Sequence, residues 1–471
     1  MLSLLFTALI GIGAFHMNLS DVLNCIGYGL VKAFFPILYI ITMAMFSYNL
    51  MQRTGQMNII KQQISSVTDN RSLQVLLITW GFGGLLEAMA GFGTAETICI
   101  SILIGLGFKP LFSAVICLLA NSVITAFGAV GTPIVVLAKE TGINASLLGI
   151  NIVTQLAVFM FLFPFTILTI TSRKRKDIPR NILVALLVGS TTLCSQYLVV
   201  TYMGIEAPSI ISSLCSILVI LIYSWLCRHN TTSEHSSWKD KLKEMRAWSI
   251  YLFILILIIA TSPLFSSFNH ALSSAYNSSM NFRIMEQNVT YNIAWLTQSG
   301  TLLLIGTVTG GLIQKIPVTL MAGTLWNTLK QLRKVFITLV CLISLSTIMN
   351  YAGMITCIAM ALASVTGTLY PLFSPAIGCL GTFITGSGTS ANILFGKLQA
   401  DVATQLHISP DWLAAGNMSG TTAGKIISPQ SIAIVTSNEQ LSGKESVVLK
   451  KAFPYALIYV ILIGFIVYLF G

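Results

Sequence analysis

The chain has 471 residues, 55% of them hydrophobic and only 9% charged, with a net charge of +11. A soluble domain carries about 25% charged residues, so this composition excludes a water-soluble globular protein; most of the chain must face lipid or other buried helices. The excess Lys and Arg sit in short clusters between apolar runs, where membrane topology places them, which excludes a nucleic-acid-binding surface.

Residues 1–15 are apolar and no Lys or Arg precedes Lys32, so the basic start of a signal peptide is missing and a short first span near 1–17, with its loop to 25, is expected. Further apolar runs predict spans near 26–50, 111–138, 147–170, 181–203, 208–227, 248–265, 294–313, 335–352, 412–436 and 452–470. Residues 72–107 and 371–406 are apolar but interrupted, the first by EAMAGFGTAE and the second by TGSGTSAN. Each is long enough for two half-helices meeting at a tip, so both are predicted as re-entrant hairpins. Between spans, 229–247 reads as a cytoplasmic loop in which His229 and His235 are solvated. Residues 266–293 read as an external loop, where the sequons at Asn277 and Asn288 are chance matches. The expected fold is an all-α polytopic membrane protein of about 11 transmembrane helices plus two hairpins. The 9 cysteines, none in a CxxC pair, read as small hydrophobes; no metal site and no cofactor are expected.

Charge orients this plan. With the N-terminus cytoplasmic and each hairpin returning to the side it entered, all of the 26 Lys and Arg fall in cytoplasmic segments except Lys32, Lys139, Arg283, Lys397 and Lys425. The arrangement predicts a multi-pass protein of the bacterial cytoplasmic (inner) membrane.

The two broken regions are followed by matching signatures. Asn121, Gly128 and Pro133 recur as Asn417, Gly424 and Pro429, both reading N-x6-G-x4-P. Gly91 precedes its Asn by 30 residues and Gly386 precedes its own by 31. The chain therefore divides into a first repeat over 26–170 (hairpin 72–107, broken helix 111–138), linking helices over 171–334 and a second repeat over 335–471 (hairpin 371–406, broken helix 412–436). On the charge-derived topology the two are inverted. Irregular backbone at membrane depth survives only where protein or a water-filled cavity satisfies it, and half-helix N-termini suit a carboxylate. Paired broken helices near the midplane are where secondary transporters hold substrate and coupling ion.

The tips and helix breaks are assigned to Gly91, Gly93, Gly128, Pro133, Gly386, Gly388, Gly424 and Pro429. Expected substrate-binding groups are Asn121, Thr385, Ser387, Thr389, Ser390, Asn392, Asn417, Lys425, Ser428 and Gln430. Glu87, Glu96 and Lys425 are the deepest ionisable groups, and Lys425 is the only deep cation the sequence offers. An intramembrane charge is a functional-site hypothesis by default. Glu87 and Glu96 flank one tip and are expected to handle a proton; Lys425 is expected to meet an anion.

These motifs resemble the L-lactate permease family of bacterial lactate and glycolate carriers. The resemblance rests on GFGGLLEAMAGFGTA (81–95), GLGFKPL (105–111), NSVITAFGAVGTPI (121–134), FITGSGTSANILFG (383–396), GKIISPQSIAI (424–434), GKES (443–446) and RTGQ (53–56), along nearly the whole chain. It implies proton-coupled uptake of a small 2-hydroxy monocarboxylate, with an organic anion, a proton and membrane lipid as partners; homo-oligomerisation is left open. The family pattern leads one to expect a further apolar stretch ahead of Met1. Gly388 stands where the family reads an acid in TGSDTSSN, and Thr94-Ala95-Glu96 stand where it reads AGFGAP. Two other readings stay open: a sodium-coupled di- or tricarboxylate carrier, and a transport-altered paralogue acting as sensor or scaffold. An enzyme is not expected, because the histidines fall at span ends or in loops.

Overall fold

The computed structural model describes residues 2–65, 68, 70–91, 93–172, 175–227, 244–285, 287–436, 440–441 and 443–471. His229, His235, Arg173, Lys174 and the predicted loop up to residue 243 lie outside them.

The first element, α1 (Leu2–Gly13), has 12 residues. At 1.5 Å per residue it reaches about 18 Å, short of the roughly 30 Å hydrocarbon core, so the expected first span does not cross by itself. A long apolar stretch then runs as α2 (Leu19–Lys32), a kinked π-helical piece in which Phe35 is extended, and α3 (Tyr39–Arg53). The short α4 (Gln56–Ser65) leads to hairpin 1. Its first arm is α5 (Arg71–Leu76), a π-helical stretch Leu77–Phe82 and α6 (Gly83–Met89); its second is α7 (Thr94–Gly105). The next helix is broken into α8 (Pro110–Ile124) and α9 (Gly128–Thr141), followed by the unbroken α10 (Ala145–Ser172). Linking helices are α11 (Ile178–Met203), α12 (Pro208–Leu226), α13 (Ser249–Ala260), α14 (Ser266–Ala275) and α15 (Ser299–Ile313).

The order then recurs: α16 (Val318–Tyr351), the short α17 (Met354–Thr366), hairpin 2 as α18 (Tyr370–Thr385) and α19 (Gly388–Gln405), the broken pair α20 (Pro410–Ile427) and α21 (Pro429–Thr436), and the final α22 (Glu445–Phe470). Prolines open α8, α12 and α20, where the missing N–H costs nothing and the fixed φ suits a helix start.

Among the described residues 9 helical stretches are long and apolar enough to cross a membrane, counting arms of both hairpins. The predicted spans at 248–265 and 294–313 are the shorter α13 and α15. The predicted span at 335–352 is the C-terminal part of the 34-residue α16, which also carries the basic stretch around Lys330, Arg333 and Lys334. Nor is the molecule purely helical. The predicted external loop carries α14 and an antiparallel pair, β1 (Asn277–Ile284) and β2 (Gln287–Ala294). Alternating residues of this pair bury Ile284, Tyr291 and Ile293, the period-2 pattern of a half-buried strand.

Burial places the core. Residues Leu413–Ile427 of α20 are all buried, as is nearly all of the hairpin 1 arm Arg71–Met89. Exposed Leu183, Leu187 and Leu198 on α11, and Leu457, Ile461 and Phe465 on α22, form the lipid-facing surface. Hairpin 2 is held tightly: a Cβ on Gly420 would strike the carbonyl of Pro375, and one on Gly424 that of Cys379. Small residues allow such backbone approach between membrane helices. Gly424, expected at a helix break, therefore lies inside a continuous helix that breaks later, at Ser428.

The sequence did not disclose a buried ion pair. Lys32 Nζ at the end of α2 lies 2.9 Å from Glu140 Oε1 in the last turn of α9. The Ser346 hydroxyl on α16 is within hydrogen-bond distance of Glu140 Oε2 (3.2 Å) and of the Ile393 carbonyl on α19 (3.0 Å). Removing one member of a buried pair strands the other charge and costs about 3–5 kcal/mol, whereas an apolar replacement of both is tolerated. Lys32→Met should lower the thermal midpoint of the detergent-purified protein by several degrees, and Lys32→Met/Glu140→Leu should recover much of the loss. A double variant as unstable as the single one would show that the two charges do not depend on each other.

Candidate functional site

Both hairpin tips and both helix breaks meet at one cavity of about 50 Å³ lined by glycines and polar side chains. Hairpin 1 turns at Gly91 and Gly93, both with positive φ. Glu87, in the last turn of α6, reaches the cavity wall at 2% exposure. The break between α8 and α9 passes through extended backbone at Gly128 and three left-handed residues, Ala129 (φ 43°), Val130 (φ 55°) and Gly131 (φ 71°). Non-glycine residues there cost roughly 1–2 kcal/mol each, so the strain is held by the packing around it. Thr125 and Thr132 flank this break and line the cavity.

Hairpin 2 turns at Gly386, and Ser387 caps α19 by accepting the Ser390 N–H at 3.3 Å. Gly386, Ser387, Gly388 and Thr389 line the same cavity. The second break is made by Ser428 and Pro429, with Ser428 Oγ accepting the Ser431 N–H at 3.1 Å to start α21. Lys425, one turn earlier, is 5% exposed and opens on the cavity. Among the described residues no hydrogen-bond acceptor or carboxylate pairs with its Nζ; Glu87 lines the cavity too, but not within 4.0 Å of it. The starts of α9, α19 and α21 also face this space, and each adds partial positive charge.

Of the expected substrate-binding groups, Ser387, Thr389, Lys425 and Gln430 line the cavity, as do Glu87 and the backbone positions Gly91, Gly128, Pro133, Gly386 and Gly388. The others stand behind it. Thr385 Oγ1 donates within its own tip, 2.7 Å from the Gly381 carbonyl and 3.0 Å from that of Ser387. Asn392 Nδ2 donates to the Pro133 carbonyl at 3.0 Å and so ties hairpin 2 to the first broken helix. Asn121 Nδ2 donates to Glu96 Oε1 at 2.8 Å, and Asn417 Nδ2 to Asn392 Oδ1 at 2.9 Å. Both bonds span 25 residues, so Glu96 occupies in the first repeat the place of Asn392 in the second. Gly93 packs against Ile434 of α21, and Pro429 opens that helix.

Sequence reasoning missed Thr125, Ala129 and Thr132 as lining residues; two hydroxyls bracketing Gly128 in NSVITAFGAVGT were the available signal. It also missed Lys32, a second buried cation besides Lys425. Glu87 Oε2, Glu96 Oε2 and Asn121 Oδ1 are buried acceptors with no hydrogen-bond partner among the described residues. Groups so placed cost free energy unless a proton or cation visits them.

A family model described as L-lactate permease matches residues 1–470. An L-lactate permease of Streptococcus iniae is 39% identical, covering 88% of this chain and 87% of the relative. Glycolate permease GlcA of Escherichia coli K12 is 33% identical, covering 99% and 90%. The L-lactate permease of that strain is 32% identical, covering 96% and 87%. In shape, the YdaH transporter of Alcanivorax borkumensis aligns with a TM-score of 0.48 at 13% identity, covering 93% of this chain and 86% of that one. That likeness is too loose to carry function.

The tips impose a specific demand. Gly386 has φ 72°, and a Cβ there would run into the Gln430 side chain, whereas Gly353 has φ 79° with open space around it. Gly386→Ala should lower the thermal midpoint clearly more than Gly353→Ala, which carries only the left-handed penalty of about 1 kcal/mol. Equal losses would mean that Gln430 yields freely and does not define the tip.

Proposed function

Since the chain belongs to the L-lactate permease family, we propose that it is a secondary carrier coupling a proton to the uptake of lactate, glycolate or a related 2-hydroxy monocarboxylate. It works in the bacterial cytoplasmic membrane with its N-terminus inside, hairpin 1 entering from the cytoplasm and hairpin 2 from outside. The observation that carries this reading is Lys425: a buried ammonium without a partner among the described residues, in a cavity shared by both tips. A buried charge calls for a counter-charge, and the substrate carboxylate supplies it. The N-termini of α9, α19 and α21 share the load, and Thr125, Thr132, Thr389 and Gln430 are the groups that can address the 2-hydroxyl. The cavity, about 50 Å³, corresponds to room for roughly four water molecules, which suits a small monocarboxylate and disfavours citrate.

Coupling follows from charge. Two anions compete for one cation: the Glu87 carboxylate and the substrate. When Glu87 is ionised its charge offsets Lys425 and repels the incoming carboxylate. When it is protonated the ammonium is free for substrate. Proton and substrate therefore promote each other's binding, and the linkage is reciprocal. Glu96, hydrogen-bonded to Asn121, is a second carboxylate behind the cavity wall. The alternative favoured by the same unpartnered oxygens is sodium held by Glu87, Glu96 and Asn121.

Two experiments test this in cells lacking their own carriers. Radiolabelled lactate and glycolate should enter, while malate and citrate should not. Lys425→Ala should reduce uptake at least a hundredfold at unchanged membrane abundance, and Lys425→Arg should fail as well, since a planar fork does not replace a compact ammonium. Wild-type affinity in the alanine variant would remove Lys425 from substrate recognition. In Glu87→Gln, lactate exchange should persist but accumulation driven by an imposed pH gradient should disappear. A wild type that ignores the pH gradient and follows sodium would replace the proton reading by the sodium one.

A further inference from the structure

Hairpin 1 has a second charged feature, at its base rather than its tip. Arg71 is the first residue of α5 and Lys109 the residue that opens α8, so the two bracket the hairpin in the chain. Both line one pocket of about 250 Å³, walled by Phe108, Phe112, Ile170 and Thr171. The Arg71 guanidinium stands 5.3 Å over the Phe108 ring, and Phe108 stacks on Phe112 with centroids 5.8 Å apart. Stacking on an aromatic face orients the guanidinium plane while leaving its edge N–H groups available. The pocket also contains the N-terminus of the 15-residue α8, where Pro110 has no N–H to offer and the N–H groups of Leu111 and Phe112 precede the first intrahelical bond, from Ser113 to Lys109.

Among the described residues no carboxylate lies within 4.0 Å of either cation. Both side chains are exposed at the rim of the pocket, so two like charges and a helix N-terminus border one space and favour an anion there. The geometry points to a phosphoryl group: Arg71 offers paired donors for two of its oxygens, Lys109 a point charge for a third, and the helix start further N–H groups. We propose that this pocket binds the phosphoryl group of an anionic phospholipid headgroup and thereby pins the two ends of hairpin 1 together. The lipid is the source because Ile170 and Thr171 belong to the last turn of α10, a helix long and apolar enough to span the bilayer, so the pocket sits at headgroup depth. This site is separate from the cavity around Lys425 and does not depend on what that cavity carries.

The test uses the full-length protein, delipidated in a neutral maltoside. Native mass spectrometry and thermal midpoints are recorded with dioleoyl phosphatidylglycerol, with dioleoyl phosphatidylcholine and with inorganic phosphate. The proteins are the wild type, Arg71→Gln/Lys109→Gln, and Lys450→Gln/Lys451→Gln, which removes the same charge from an exposed stretch of α22. Phosphatidylglycerol should bind the wild type at least tenfold more tightly than phosphatidylcholine and raise its midpoint. The preference should vanish in the Arg71/Lys109 variant and survive in the Lys450/Lys451 variant. If inorganic phosphate reproduces the shift, the phosphoryl site stands and its source is soluble phosphate. The proposal is overturned if the two lipids are indistinguishable on the wild type, or if both variants lose or keep the preference alike. The wild-type comparison decides even where the Arg71/Lys109 variant fails to fold.

Discussion

A helix interrupted inside a bilayer must find partners for the backbone groups it releases, because no water is available to take them. The rest of this structure depends on that constraint. The two broken helices and the two hairpin tips solve it together, by ending against one another around a small polar space. Serine hydroxyls at 387 and 428 cap the helices that restart there, and Asn392 reaches across to the Pro133 carbonyl at the other break. The cavity is what remains once those groups are paired, and helix N-termini dominate its lining.

On this frame the two repeats contribute different chemistry. The Asn121–Glu96 and Asn417–Asn392 hydrogen bonds are repeat-related, equal in span and nearly equal in length. Their acceptors differ: one is a carboxylate, the other an amide. Lys425 follows Gly424 as Ala129 follows Gly128, so the cation belongs to one repeat alone, and Glu87 to the other. The break positions differ too. The first chain bends at Gly128 through left-handed backbone, while the second runs helical past Gly424, pressed against Cys379, and breaks at Ser428. A recurring order of elements brings the tips together, and differing side chains give the cavity one positive and one acidic group, Lys425 and Glu87, with Glu96 behind.

Much of this was legible in the sequence, for physical reasons. Gly-rich polar interruptions in apolar runs have few explanations in a membrane, so both hairpins, both breaks and the shared family pattern could be read directly. Lys425 stood out because a lone lysine in an apolar segment needs a reason. Other features were not legible. Lys32 looked like a residue near a span end that could reach water, and only the fold brings Glu140 to it across 108 positions of sequence. Asn121, Asn392 and Asn417 were polar and deep, and so read as cavity groups; the structure uses their amides to join hairpins to broken helices. Individual spans are harder to delimit where a π-helical kink, the long α16 and the short α13 and α15 depart from the simple rule of twenty apolar residues. The β1–β2 pair was hidden in a polar stretch whose alternation is visible only once one face is known to be covered.

The central claim is that one ammonium serves two competing anions, so that carboxylate binding requires a proton. It is tested most directly by counting protons taken up when lactate binds the purified protein, from the dependence of the binding heat on the ionisation enthalpy of the buffer. The account predicts that the wild type takes up close to one proton per lactate at a pH where Glu87 is ionised in the empty cavity, and that Glu87→Gln binds lactate with none. Lactate binding to the wild type without proton uptake at any pH between 5 and 9 would contradict it.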